Sequence, residues 1–236
     1  AVLQVDREVV RQRRCRIPSR VPDRGRIVIN GPGVSDVRTI LLKGNSQDQG
    51  VITTDVQFDF QKAMSWKQQT VDKLVNGVGF LMKKNKIDVI EGFGKLKPGK
   101  KVDVDGKEYS ADHIVIATGA RSRELPSLPQ DGKKVIGYRE AMTLPKQPKS
   151  MVVVGSGAIG SEFAFFYNSI GTEVTLIEVL PNIVPLEDEE VSKQLGRSFK
   201  KAGIKVMTGV SVEDVDSKGK TCKVSVKTKK GEETIE

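Results

Sequence analysis

Residues 151–178 read MVVVGSGAIGSEFAFFYNSIGTEVTLIE, and this stretch decides the fold. It opens with four apolar residues, the continuous run expected of a parallel strand that is covered on both faces. Gly155, Gly157 and Gly160 then follow in G-x-G-x-x-G spacing, ahead of a helical pattern of apolar residues. A second apolar run ends at Glu178. A strand, three glycines, a helix, a strand and an acid in this order predict a dinucleotide site.

Each glycine of the motif has its own physical function. Gly155 permits the tight turn off the strand, Gly157 lacks the side chain that would block a pyrophosphate, and Gly160 lets helix and strand pack closely. The N–H groups and the dipole at the helix start then attract the phosphates. The alternative is a glycine-rich turn in an unrelated α/β domain. We predict that the dinucleotide is held by Gly155, Ser156, Gly157, Ala158, Ile159 and Gly160.

Glu178 indicates which dinucleotide is bound. It lies 18 residues beyond Gly160, where a carboxylate can accept hydrogen bonds from the hydroxyls of the adenosine ribose. A site for the 2′-phosphorylated nucleotide usually has an Arg nearby and avoids a carboxylate at this position. Residues 179–184 contain no cation, and a carboxylate would repel a 2′-phosphate. These residues therefore favour NAD over NADP.

Length and composition narrow the class of protein. A chain of 236 residues forms one large domain or two small ones. It contains no run of about 18 apolar residues and no apparent signal peptide, so we expect no membrane association. Because Cys15 and Cys222 cannot form a disulfide framework, we expect a reducing, cytoplasmic location. No metal site is predicted.

Residues 1–50 differ in composition from the rest of the chain. They hold nine of the thirteen Arg residues but only one Lys, Lys43, in a chain whose net charge is +9. One interpretation is a basic arm for nucleic acid. The segment contains no aromatic residue on which bases could stack, so we expect no nucleic-acid partner. A solvated or poorly ordered segment is the favoured interpretation.

Periodicity and turn residues predict the other elements. Apolar residues at helical spacing indicate a long amphipathic helix from Asp59 to Lys83, with Asp59 as N-cap and Trp66 as a packing residue. The Asp105–Gly106 pair indicates a hairpin. Short strands are predicted over 87–91, 102–104, 109–117, 204–207, 210–215 and 222–226, and a second helix over 187–202. In the last of these strands Cys222 shares a face with valines, which indicates a core thiol.

From about Gly50 onward, the chain resembles the dihydrolipoyl dehydrogenases, a family of flavin-dependent disulfide oxidoreductases. The long helix and its sequel 80–86 (FLMKKNK) resemble that family's helix, and 152–178 is similar to its NAD unit. The stretch 117–120 (ATGA), upstream of the glycine motif, separates the family from simpler NAD dehydrogenases. The likeness covers about four-fifths of the chain.

The resemblance implies an α/β fold, in which a Rossmann-type NAD-binding domain is attached to an incomplete FAD-binding domain. Gly94, Thr118, Gly119 and Ala120 match positions at which the family's backbone touches FAD. Glu162 matches the glutamate between nicotinamide and flavin, and Val212 a position beside the adenine. The expected divisions are an atypical segment 1–50, a partial FAD-binding domain 51–121, a connector 122–145 and the NAD-binding domain 146–236.

The implied activity is oxidation of dihydrolipoamide, with FAD passing electrons to NAD as a hydride. The implied partners are a protein that bears dihydrolipoamide and a second subunit of a homodimer. Two alternatives remain open. The chain could be a catalytically silent NAD-binding fragment, or it could be another flavoprotein disulfide reductase, such as mercuric reductase or the soluble transhydrogenase.

The chain also departs from the family's pattern. The glycine-rich unit for the FAD pyrophosphate has no equivalent in residues 1–50. The family's redox cysteines lie five positions apart in G-T-C-x-x-x-x-C-I-P-S-K, whereas here Cys15 begins CRIPSR and Val10 stands where its partner would be. The redox pair is therefore absent and the catalytic residues are unknown. Because the family's C-terminal interface domain also has no counterpart, we expect a fragment with an altered N-terminus.

Overall fold

The computed structural model describes residues 2–4, 57–119 and 125–236, the first three as backbone alone. The chain divides into two units. The first unit contains 1–64 and 122–236, and the second unit contains 65–121. Predictions that concern Cys15, Ala120 and most of the Arg-rich segment lie outside the described residues.

The long helix predicted from the apolar periodicity is present as α1, Phe60–Lys84. Asp59 Oδ1 accepts a hydrogen bond from the Lys62 N–H at 3.0 Å, which confirms Asp59 as the N-cap. Phe60 is buried in the core of the first unit. Trp66 is 60% exposed, so the packing role predicted for it is wrong for the part of the chain that the structure describes.

Three short antiparallel strands form the sheet of the second unit, in the order β2-β3-β4. They are β2 (Gly94–Lys97), β3 (Lys101–Val104) and β4 (Lys107–Ser110). Asp105 and Gly106 have φ values of 50° and 89°, as the predicted hairpin turn between β3 and β4 requires. The strand predicted over 87–91 is wrong, and the strand predicted over 109–117 is present only at 109–110, in β4. A strand exists by pairing with a neighbour, and these apolar runs have no paired neighbour among the described residues.

A five-stranded parallel sheet forms the centre of the first unit, and its strands lie in the order 2-1-3-4-5 when they are counted along the chain. All four neighbouring pairs in it are parallel. Residues 122–145, predicted as a connector, contribute a strand to this sheet and a short helix, α2 (Tyr138–Ala141). The strands are β1 (Val2–Gln4), β5 (Val135–Ile136), β6 (Ser150–Val154), β7 (Glu173–Glu178) and β8 (Lys205–Thr208).

Helices cover one face of the parallel sheet. Met151 and Val153 of β6 pack in one buried cluster with residues of α3 (Ala158–Ser169) and α4 (Glu189–Lys201). The start of α4 is fixed by Asp188, whose side chain accepts hydrogen bonds from the N–H groups of Glu190 and Val191. Both helices were predicted, and this layer confirms the α/β fold.

An antiparallel sheet covers the other face. Its strands, in the order β11-β10-β9, are β9 (Ser211–Asp216), β10 (Lys223–Thr228) and β11 (Gly231–Ile235). Val152 and Ile177 of the parallel sheet form a buried cluster with Val224 and Val226 of β10. Cys222 packs against this cluster, which confirms its predicted place in a core. The sequence indicated β9 and β10 but not β11, which contains one buried residue.

Candidate dinucleotide-binding site

The turn after β6 has the backbone conformation that its first glycine was predicted to permit. Gly155 has a φ of 98°, in the left-handed region that residues with a side chain rarely adopt. Its N–H donates to the Ile177 carbonyl at 2.9 Å, which joins the turn to the end of β7. The role of Gly155 in the turn is therefore confirmed.

The third glycine allows α3 to approach the turn closely. A Cβ placed on Gly160 would lie 2.0 Å from the Gly155 carbonyl oxygen and 3.5 Å from a methyl carbon of Val153. Real Cβ atoms essentially never come within 3.0 Å of a neighbour, so no residue with a side chain fits here without movement of the backbone. This contact confirms the predicted close packing of helix on strand.

The second glycine borders open space. Gly157 is the N-cap of α3, and a Cβ added to it would meet no atom of the described residues within 4 Å. No side chain hydrogen-bonds to this cap in the described structure, and Ala158 and Ile159 are exposed. The first turn of a helix has N–H groups without intrahelical partners, and together with the dipole they attract anions. The arrangement fits a pyrophosphate, whose binding here remains a prediction.

Glu178 lies at the end of β7 and is almost completely buried, with 1% of its surface exposed. Its Oε2 accepts hydrogen bonds from the Ser156 N–H at 3.0 Å and from the Ser156 hydroxyl at 2.9 Å. Its Oε1 accepts from the Leu180 N–H at 2.9 Å. The carboxylate thus ties the glycine turn to β7. A ribose can reach the carboxylate only if the residues that cover it shift, and the ribose contact remains a prediction.

Ser156 joins the turn to three other parts of the site. It is fully buried, and its N–H and hydroxyl both donate to Glu178. Its carbonyl accepts from the Ser161 hydroxyl at 3.0 Å and from the Val184 N–H at 2.9 Å. Ser156 was predicted at the site from the sequence, but its hydrogen bonds to Glu178, Ser161 and Val184 were not. The available signal was the presence of two serines in the motif, at positions 156 and 161.

The segment after β7 is held against the turn by a residue with an uncommon backbone. Val184 has a φ of 40° although it is β-branched, and it is buried. Such a conformation costs about 1–3 kcal/mol and persists where neighbours enforce it. Here the Val184 N–H donates to Ser156, and its carbonyl accepts from the Ser192 hydroxyl at 3.3 Å and the Glu187 N–H at 2.9 Å. Sequence analysis did not identify Val184.

The residues assigned by resemblance fall in both units. In the first unit, Glu162 is exposed on α3, and Val212 is half-buried in β9 against the cluster beneath the parallel sheet. In the second unit, Gly94 begins β2, while Thr118 and Gly119 are exposed in the irregular segment 111–119. Their contacts with NAD and FAD remain predictions.

The described residues contain one cysteine, Cys222, which is free and half-buried. They contain no group of three or more His, Cys, Asp or Glu side chains that could hold a metal ion. Within the same residues, every helix is too short or too polar to cross a membrane.

Comparison with known proteins relates the chain to one family. Residues 20–236 match the family model of the pyridine nucleotide-disulphide oxidoreductases, and the match begins within the Arg-rich segment. The chain is 38% identical over 188 residues to dihydrolipoyl dehydrogenase of Zymomonas mobilis, covering 77% of this chain and 40% of the relative. It is 43% identical over 190 residues to dihydrolipoyl dehydrogenase of Rhizobium etli, covering 72% and 40%. The chain thus spans about two-fifths of the length of these curated relatives.

Solved structures show a similar fold. The crystal structure of LpdA from Mycobacterium tuberculosis matches 84% of this chain with a TM-score of 0.71, and the match covers 44% of that protein. The sequence identity is 23%, so this likeness concerns the fold alone.

Proposed function

Because the chain belongs to the pyridine nucleotide-disulphide oxidoreductase family, we propose that it binds NAD and provides the hydride-accepting side of a dihydrolipoyl dehydrogenase reaction. The relatives with 38% and 43% identity both bear that enzyme's name. Electrons from dihydrolipoamide would reach NAD through FAD.

The observation that carries the proposal is the open space at Gly157. A Cβ there would meet nothing within 4 Å, although on the same turn a Cβ at Gly160 would collide with backbone 2.0 Å away. Packing therefore explains Gly160 but not Gly157, for which the N-cap position gives only a modest preference for glycine over alanine. A ligand that needs close approach to the backbone supplies that reason.

Residues around this space can bind and orient a dinucleotide. The N–H groups at the start of α3 can hold the pyrophosphate, since the helix start has no side-chain cap. Glu178 would accept hydrogen bonds from the adenosine ribose after its cover shifts. Val212 would lie beside the adenine, and the exposed Glu162 would face the nicotinamide end.

FAD, when bound, would carry electrons between thiols and the nicotinamide. Gly94 and Gly119 are the described residues that support its backbone contacts. Gly119 has a φ of 76°, which favours glycine, whereas a Cβ on Gly94 would make an ordinary contact of 3.4 Å with a Val102 methyl carbon. Thr118 and Ala120 complete the stretch by family resemblance. The proposed partners are a protein that bears dihydrolipoamide and a second copy of the enzyme.

Titration of the chain with NADH and with NADPH tests the proposal. We expect NADH to bind at least about tenfold more tightly, a difference of ~1.4 kcal/mol, because a carboxylate at Glu178 favours ribose hydroxyls and repels a 2′-phosphate. Isothermal calorimetry measures both dissociation constants on the same sample. Equal affinities would contradict the ribose role of Glu178, and no binding of either nucleotide would contradict the proposed function.

A further inference from the structure

Ser156 contributes more hydrogen bonds to this site than a spacer between two glycines needs. Its two donors, the N–H and the hydroxyl, converge on one oxygen of Glu178 at 3.0 and 2.9 Å. The carboxylate's other oxygen accepts from the Leu180 N–H at 2.9 Å. Both Ser156 and Glu178 are at most 1% exposed, so these bonds are shielded from bulk solvent.

We propose that Ser156 is a positioning residue that fixes the orientation of the Glu178 carboxylate, the proposed acceptor for the ribose hydroxyls, and thereby sets the preference for NADH over NADPH. The inference rests on the proposed function, because it concerns the same nucleotide site. The serine hydroxyl would thus contribute to nucleotide selection, although the G-x-G-x-x-G motif specifies no residue at this position.

The backbone donors would survive replacement of Ser156 by Ala, but the hydroxyl would not. The terminal torsion of a glutamate side chain is soft, so the plane of its carboxylate is set largely by hydrogen bonds. Among the bonds described above, loss of the hydroxyl leaves each oxygen with one backbone donor. The orientation of the carboxylate is then fixed by fewer donors, so it can turn from the ribose more readily.

Such a turn would affect the two nucleotides in opposite directions. NADH would bind more weakly because its ribose hydroxyls lose a well-oriented acceptor. NADPH would lose part of the repulsion between its 2′-phosphate and the carboxylate. General damage to the turn would weaken the binding of both nucleotides by the same factor. The ratio of their dissociation constants therefore separates a positioning role from a merely structural one.

Ser161 offers a matched control. It is also a buried serine, and its hydroxyl donates to the Ser156 carbonyl at 3.0 Å. That bond supports the same turn through the Ser156 carbonyl, whereas the Ser156 hydroxyl donates to the Glu178 carboxylate. Ser161→Ala should therefore disturb the turn but leave the nucleotide ratio at the parent's value.

The experiment measures the dissociation constants of NADH and NADPH for the full chain, Ser156→Ala and Ser161→Ala by calorimetry. In Ser156→Ala the ratio of the NADPH to the NADH dissociation constant should fall about fivefold. This is less than the roughly tenfold or larger effect of a hydrogen bond to a charged group, because the backbone donors to the carboxylate remain. In Ser161→Ala the ratio should not change.

Each outcome decides the inference. If the parent prefers NADH and Ser156→Ala keeps the same ratio, the inference is wrong while the proposed function stands. If the parent binds neither nucleotide, both are wrong. Should Ser156→Ala fail to fold, Ser156→Cys replaces the hydroxyl with a weak donor of similar size, and the same narrowing is expected. An unchanged ratio in Ser156→Cys would then overturn the inference.

Discussion

Replacing Gly160 by Ala should destabilise the first unit through one contact. The new Cβ would lie 2.0 Å from the Gly155 carbonyl oxygen, whereas such contacts essentially never fall below 3.0 Å. Helix α3 and the turn must therefore separate by about 1 Å or more. Neither side can yield easily, because Val153 at the end of β6 and Ala164 on α3 are both fully buried.

The expected loss of stability is about 2–4 kcal/mol. Overpacking a close-packed site typically costs about 1–3 kcal/mol and more where backbone is displaced. The better helix propensity of alanine recovers at most about 1 kcal/mol. Urea denaturation followed by far-ultraviolet circular dichroism measures the effect, and the midpoint should fall by about 1–2 M, given typical slopes.

Gly157→Ala is the matched control for this prediction. A Cβ at Gly157 meets nothing within 4 Å, and its φ of −61° suits alanine. The free energy of unfolding of Gly157→Ala should stay within about 1 kcal/mol of the parent's value, which is the usual effect of changing an N-cap residue to alanine. Equal midpoints for Gly160→Ala and Gly157→Ala would refute the claim that Gly160 is required for helix packing.

Two further predictions concern pH and activity. Burial raises the pKa of Tyr167, so the folded state favours the neutral phenol. The free energy of unfolding should therefore be unaffected below the ordinary tyrosine pKa of about 10. It should fall as the pH rises above that value, because the unfolded state then loses its proton first. Thermal melts between pH 8 and pH 11 should show this fall in the parent but a weaker one in Tyr167→Phe. The purified chain should be colourless and should not reduce NAD with dihydrolipoamide, even with added FAD, because its two cysteines, Cys15 and Cys222, lack the spacing of five positions found in the family's redox pair. A yellow protein with turnover would contradict that expectation.

The sequence indicated the parts of the site that depend on local pattern. The apolar run 151–154, the glycine spacing and the helix behind it are contiguous, and the structure has all of them within a few residues of the predicted bounds. The left-handed backbone of Gly155 and the tight contact of Gly160 follow from the same motif. Local pattern was therefore sufficient for the turn.

The contacts that sequence analysis missed join residues far apart in the chain. Ser156 bonds to Glu178 across 22 residues and also to Val184, and no periodicity reports such a pair. Burial of Glu178 depends on the segment that follows it in the chain. The sequence therefore did not reveal that the side chain of this acid is covered. The apolar run near 113–116 shows the opposite error, since a strand needs a neighbour that a local pattern does not reveal.

The central claim is that the open space at Gly157 receives the pyrophosphate of NAD, and one titration tests it directly. Gly157→Val places a branched side chain in that space, while Gly77→Val makes the same change in α1, where an added Cβ also meets nothing within 4 Å. NADH binding should disappear in Gly157→Val with little change in helix content, and it should match the parent in Gly77→Val. Normal NADH affinity in Gly157→Val would mean that the phosphates bind elsewhere and would contradict the claim.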